Sequence, residues 1–482
     1  MLRFIGGHCS ARECILSFEE VQAHLAVALL KEDSDVEDTP SDSEGKQDDS
    51  AVLQLVRILD AFGIVLPRLP KRKKTPSEIL RPLVDHLAAT IRLVAQIANI
   101  QEGKDIIASA SRFTASLSSW ADGNEDEQTQ CNLLLFEFIC STLEMCSRST
   151  NIGLAQLAFE AQFPRFASRS GPSSSSSVDE DIVQDAVSAL AHLGLTLEDY
   201  LKRPSIGSLI LVAHLGRHSL GSDLFALLRW ILTSLQTNTA LDEILAILLT
   251  SLGQLRATGD TSVPSQFVIP LVQVLGPVAG CHPDAPTRHL VFRLLSITLT
   301  LSAPAIRLQL LRDLLSDSEA LTPQMQVAAI GLVREATIEA LSVPEQSPPN
   351  PFASPILLRE IGPMVFSLQS SELFSSCEVA LDDFMQSPEP LRLVESLTLL
   401  FVLLKRDLEN RTGIRDNQQI NDIGLNFLAP LQAQMDFWKQ GQDSNDNDSE
   451  HSHNLMQLGI LDMWLERTQS AVQDISEGFG DI

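Results

Sequence analysis

Apolar residues recur along the chain every three to four positions, the period of an α-helix with one buried face. Cys14, Ile15, Phe18, Val21, Leu25 and Leu29 set this pattern over residues 11–30. It returns over 51–66, over 76–98 (Ile79, Leu83, Leu87, Ile91, Val94, Ile97) and over 104–119. The stretch 130–146 is apolar almost all round, with Leu133, Leu134, Phe136, Phe138, Ile139, Leu143 and Met145, and is predicted to be a central helix. Further helices are predicted at 182–195, 205–217, 222–236, 239–256, 266–279, 285–301, 303–315, 323–341, 355–368, 371–385, 388–409, 418–438 and 454–475. The period-two alternation of strands is scarce. Thr75-Pro76 is expected to open the helix at 76. Thr239 or Asn238 is expected to cap the helix at 239, with Asp242 and Glu243 in its first turn, where carboxylates suit the helix dipole.

About fifteen helices joined by short polar loops predict an all-α fold, here an irregular HEAT/armadillo-like α-solenoid. A degenerate internal repeat agrees. HPDAPTRHLVFRLLSITL places Asp284 and Arg288 at a polar turn before an apolar helix; LTPQMQVAAIGLVREAT repeats the rhythm without the Arg, and SPEPLRLVESLTLLFVLLK repeats it with Arg392. In HEAT repeats, which such segments resemble, a turn Asp and Arg tie neighbouring units together. Three segments interrupt the pattern. Residues 32–50 carry nine acidic residues against Lys46 and are expected to form a disordered loop, as is the acidic stretch 440–453. The Ser-rich segment 167–181 reads as a flexible linker. It divides the chain into an N-terminal helical array, 1–166, and a C-terminal HEAT-like array, 182–476. A shorter polar break falls at 121–128.

Charge sharpens this picture. The 482 residues hold 62 Asp+Glu and 35 Lys+Arg, a net charge of −27. The segments 32–50, 122–127 and 443–450 carry −16 of it, so the remaining array, at −11, is only moderately acidic. A 44% hydrophobic content suffices for a large core. The acidic balance and the near absence of tyrosine argue against nucleic-acid binding. One basic run opposes the background: Lys71, Arg72, Lys73 and Lys74, a solvated loop or a nuclear import signal. No run of 18 apolar residues predicts a membrane span, and MLRFIGGHCSARECILSFEE lacks the layout of a secretory signal. The expected place is the cytoplasm, with a nuclear share if the basic run is read as an import signal. Seven sparsely spread cysteines (Cys9, Cys14, Cys131, Cys140, Cys146, Cys281, Cys377) fit a reducing compartment, where the sequons at Asn410 and Asn447 carry no glycan. Ser34, Ser41 and Ser43 lie in acidic surroundings that suit an acid-directed kinase.

No catalytic constellation emerges. Phosphate-binding glycine loops are missing from the sequence. GRHSLG at 216–221 places Arg217 where a nucleophile elbow needs Gly, so Ser219 reads as a loop residue. His214 and His218 share a helix face as zinc ligands would, but no third ligand is identifiable and surface histidines at a helix end are expected. His451 and His453 sit in an acidic segment with the chemistry for weak divalent-metal binding at most, and adjacent Cys281-His282 makes a poor chelate. Cys140 and Cys146 diverge around their helix and offer no CxxC-type redox pair; for Cys9 and Cys14, near the chain start, oxidation is the alternative to the unreactive thiols expected.

Four segments together resemble a known family: HCSARECILSFEE at 8–20, CNLLLFEFICSTLEMC at 131–146, DAPTRHLVFRLLSITLTLSAPAIRLQLLRDLLSD at 284–317 and NPFASPILLREIGPMVF at 350–366. The chain is similar to the fungal branch of the Yap-binding protein, glomulin and aberrant-lateral-root protein family. The resemblance implies an all-helical HEAT-like protein without enzymatic activity or cofactor. It implies protein partners: a bZIP stress transcription factor whose peroxidase-dependent oxidation is assisted, as in yeast members, or the RING-box subunit of a cullin ligase, as in glomulin. A related member associates with kinetochores, and a kinetochore-associated or karyopherin-type trafficking scaffold is the alternative reading. No partner-contacting residue carries over, because the RING-binding surface has no short motif. Because HCSAREC lies so near residue 1, the resemblance also implies helices missing ahead of it, which would leave the first helix without a partner.

Overall fold

The computed structural model describes residues 9–32, 50–69, 74–118, 120, 125–167, 182–215, 220–221, 223–259, 263–316, 322–344, 348–368, 380–442 and 449–478. The fold is all-α and solenoid-like, with no strand among the described residues. Residues 33–49 of the expected loop at 32–50, most of the linker at 167–181, Lys71, Arg72, Lys73, Ser34, Ser41, Ser43, His218, Ser219 and Cys377 lie outside them.

The chain forms two compact units, Met1–Gln254 and Leu255–Ile482. The first contains α1 (Ala11–Glu32), α2 (Ala51–Val65), α3 (Pro76–Ile97), α4 (Ile100–Ser116), α5 (Glu125–Met145), α6 (Leu154–Gln162), α7 (Ile182–His192), α8 (Leu197–Lys202), α9 (Ile206–His214), α10 (Leu228–Thr237) and α11 (Leu241–Thr258), within which the division falls. α3 packs on α5, α2 on α4, and α1 has its partners in α2 and α3. α7 packs on α4 and α9 on α5, so helices from both sides of the Ser-rich segment share this unit.

Local sequence explains the starts of these helices. Thr75 and Glu78 form a capping box on α3, with Thr75 N–H donating to Glu78 Oε2 at 3.0 Å and Glu78 N–H to Thr75 Oγ1 at 3.3 Å. Asn99 and Glu102 do the same for α4, so that helix begins at Ile100 rather than at 104. The break expected over 121–128 is shorter: Glu125, Asp126 and Glu127 form the first turn of α5, at the positive end of its dipole. Neither Thr239 nor Asn238 caps α11. Asn238, in the left-handed conformation (φ 56°), instead closes the end of α10. α6 and α8 were not foreseen, being only nine and six residues long. α9 crosses α5 at Gly207, where an added Cβ would lie 2.6 Å from Cys140 Cα. Phe136 of α5 stacks on Tyr200 of α8, the ring centroids 5.6 Å apart.

The second unit contains α12 (Ser265–Cys281), α13 (Ala285–Thr300), α14 (Pro304–Leu315), α15 (Pro323–Leu341), α16 (Pro355–Glu360), α17 (Glu389–Arg406), α18 (Asn417–Ile423), α19 (Ala429–Gln442) and α20 (Ser449–Gly478). α12 packs on α13, α14 on α15, α15 on α17, and α17 on α20. The helix expected over 355–368 breaks at Ile361, just ahead of Gly362-Pro363, where a proline cannot continue the hydrogen-bond ladder. A π-helical turn, Gly424–Leu428, joins α18 to α19. The acidic stretch 440–453 is partly helical: α19 runs to Gln442 and α20 starts at Ser449, so His451 and His453 fall on a helix rather than in a loop, while residues 443–448 lie outside the described ones.

Candidate functional site

The polar turn that carries Asp284 and Arg288 is a local clasp. Asp284 Oδ2 caps α13, accepting from Thr287 N–H at 2.9 Å and Thr287 Oγ1 at 2.6 Å. These bonds hold its carboxyl below the usual aspartate range. Arg288 Nη1 donates to the carbonyls of His282 (2.6 Å) and Pro283 (3.0 Å), at the end of α12. Arg392 pairs within its own helix, Nε to Glu389 Oε2 at 2.8 Å. Ion pairs that join separate helices include Arg334–Glu395 at 2.6 Å between α15 and α17, Arg307–Glu339 at 2.8 Å between α14 and α15, and Arg312–Glu360 at 3.1 Å between α14 and α16. Lys74 is exposed, immediately ahead of the Thr75 cap.

The first unit holds a buried polar cluster. His214 is interior rather than a surface histidine, its Nε2 3.6 Å from Glu243 Oε1, and both side chains are buried. Thr150 Oγ1 donates to the same carboxylate oxygen. Beside it, Asp242 accepts from the N–H groups of Leu154 (2.7 Å) and Ala155 (2.9 Å) and so caps α6. Burial raises the Asp242 carboxyl despite these bonds, and neighbouring Glu243 adds to the rise. The cluster links α6, α9 and α11. No group of three or more metal-ligating side chains occurs among the described residues. Cys140 and Cys146 are buried, and burial pushes both thiols up to about 12, which leaves them protonated and poor nucleophiles. Cys9 and Cys281 are exposed.

Several concavities occur among the described residues, and two of them are candidate binding surfaces. In the first unit, α6, α9 and α11 enclose an apolar groove of about 480 Å³, lined by Leu154, Leu157, Ala158, Val212 and Ile247 among others. Leu157 is largely exposed. In the second unit a cleft of about 540 Å³ lies between the start of α14, the end of α15 and the turn at Phe352. Arg307, Glu339 and Arg411 give it its charge. The guanidinium of Arg307 stands over the Phe352 ring at 5.7 Å. Arg411 is set by a tight loop: Asp407, fully buried, accepts from the N–H groups of Arg411 (2.8 Å) and Thr412 (2.7 Å) and from Thr412 Oγ1 (2.6 Å). Arg411 Nη1 then donates to Val343 O at 3.0 Å, satisfying a carbonyl past the end of α15. Neither cleft was foreseen from sequence, because the residues that meet are far apart along the chain and no local motif joins them.

These features define an all-helical protein with concave clefts and local polar clasps. Among the described residues no helix is long and apolar enough to cross a membrane. The family model described as "Uncharacterised protein family, YAP/Alf4/glomulin" matches residues 224–464, half of the chain. The chain belongs to this family. No curated protein matches it.

Proposed function

We propose that the protein is a non-enzymatic helical adaptor of the cytoplasm that regulates its partners by docking them. Membership of the YAP/Alf4/glomulin family carries this reading. The partners that the family resemblance implies are a bZIP stress transcription factor or the RING-box subunit of a cullin ligase. Helical arrays of this kind favour docking because adjacent helices leave extended concave faces between them. Clefts of about 480 and 540 Å³ have room for a few side chains of a partner. In this reading the helix-to-helix ion pairs and the buried Glu243 cluster hold the surface in shape and take no part in chemistry.

Affinity purification followed by mass spectrometry, with and without peroxide, tests the reading. Recovery of a bZIP factor or of cullin–RING subunits is the expected result, and recovery of neither from treated or untreated cells refutes it. Nuclear import through Lys71, Arg72, Lys73 and Lys74 is tested by fusing residues 65–80 to a reporter, whose retention in the cytosol would remove that part of the proposal.

A further inference from the structure

The cleft of the second unit holds an unusual balance of charge for so acidic a chain. Two guanidinium groups, Arg307 and Arg411, face it against one carboxylate, Glu339, among the described residues. Arg307 is 8% exposed, yet its Nε makes no hydrogen bond and its countercharge is a Glu339 side chain that is 60% exposed. Arg411 Nε is likewise buried without a hydrogen-bond partner. A buried guanidinium left with unmade hydrogen bonds is costly, and a mostly solvated carboxylate is a weak countercharge. α14 adds to the positive field. It starts at the cleft wall, and its N-cap, Ala303, has no side-chain acceptor, so the first-turn N–H groups keep no cap. Pro304, Ala336, Ala340 and Val343 supply apolar walls beside these charges.

We propose that this cleft is an oxyanion-binding site that takes a carboxylate or phosphate group carried between apolar residues of a partner segment. The incoming group engages Arg307 and Arg411 together, and Glu339 swings out to solvent as it enters. Charge-assisted bonds to arginine are roughly twice as strong as neutral ones. The exchange therefore replaces one ion pair, whose carboxylate is mostly solvated, with contacts to two arginines and a helix N-terminus. The inference rests on the docking reading only for the source of the oxyanion. The cleft itself is tested separately by free phosphate.

The test is fluorescence anisotropy on the full-length chain with a labelled, C-terminally amidated Ala-Leu-Glu-Leu-Ala peptide and with versions carrying phosphoserine or Gln at the central position. Isothermal titration with inorganic phosphate runs beside it. Expected are binding of the Glu and phosphoserine peptides and at least tenfold weaker binding of the Gln peptide. Arg411→Ala is expected to weaken binding of the charged peptides at least tenfold, and Glu339→Gln to tighten it several-fold. Arg307→Gln should act like Arg411→Ala; because Arg307 is buried, the comparison is made only if its melting curve matches wild type, and the decision otherwise rests on the Arg411 and Glu339 variants. Arg411-dependent phosphate binding without peptide binding would refute the partner segment as the source and keep the oxyanion site. Equal binding of the Gln peptide, insensitivity to Arg411→Ala, or no binding of any probe would overturn the proposal.

Discussion

Replacing Gly207 by Ala tests the close crossing of α9 on α5 in the first unit. In an ordinary helix interior the change stabilises, by about 0.5–1 kcal/mol, because Ala loses less backbone entropy than Gly. At Gly207 the new Cβ would lie 2.5 Å from the carbonyl carbon of Cys140 and 2.6 Å from its Cα, and closer still to the carbonyl oxygen. These are backbone atoms of a neighbouring helix, so no rotamer change relieves the overlap. α9 and α5 would have to part by about 1 Å or more, in a region where Leu209, Ile210 and Leu211 are fully buried. Overpacking of this kind costs about 1–3 kcal/mol, here toward the upper end, so the helix-propensity gain is outweighed and a net loss of about 2 kcal/mol is expected. In a unit of this size that lowers the melting temperature by roughly 4–8 °C. Gly459 is the matched control: it lies within α20, and an added Cβ meets nothing within 4 Å. Gly459→Ala is therefore expected to raise stability by about 0.5–1 kcal/mol. Both are read by circular dichroism at the helical band during heating. A Gly207→Ala protein that melts at or above wild type would refute the crossing geometry.

Three further outcomes follow from the packing. Tyr200 is the chain's single tyrosine, and its burial, with Cys140 and Asp199 adding to it, raises the phenol from 10.0 to about 12, so absorbance titration in the folded protein should show no tyrosinate near pH 10. Because the native state holds this proton longer than the unfolded chain, stability should fall as pH rises from about 10 to about 12; ordinary titration at 10 with the fold intact would contradict this. Brief thiol labelling of the native protein should modify Cys9 and Cys281 while sparing Cys14, Cys131, Cys140 and Cys146, and mass mapping of the labelled peptides decides. A double-mutant cycle on Arg334 and Glu395, 2.6 Å apart and about a quarter to a third exposed, should give a coupling of about 0.5–1 kcal/mol, and a value near zero would remove this pair as a tie between α15 and α17.

Helical periodicity carried the fold well where a helix is long. The α15 range is the expected one, and α13 and α12 differ from expectation by no more than two residues at either end. Short helices escaped, because α6 shows too few turns for its Leu154, Ala155, Ala158 and Phe159 to stand out as a face. Two breaks had readable signals: Asn99 followed three residues later by Glu102 is a capping box, and Gly362-Pro363 is a helix stop. The clasp at Asp284 and Arg288 was visible as a polar turn, but its bonds, to Thr287 and to the carbonyls of His282 and Pro283, belong to three-dimensional detail. The cleft was invisible for a different reason. Arg307 lies in α14 and Arg411 in the Asp407 loop after α17, and what makes them a pair is the packing of α14 on α15 and that loop, not any spacing between them.

The π-helical turn at Gly424–Leu428 has a consequence for how this array accommodates change. A single π turn holds one residue more than the α-helical path would need, so it works as a reading-frame adjuster within a helix. Each residue of an α-helix advances the side chains by about 100°, and the extra one therefore sets which face of α19 meets its neighbours. Phe427, Leu428, Leu431, Met435 and Trp438 are buried in this register, while Leu425 is 72% exposed. Removing one residue from the turn, Asn426 for instance, would rotate either α18 or α19 by that angle and carry a buried row toward solvent. Insertions and deletions in the polar loops leave such rows in phase; at this one helical joint they do not.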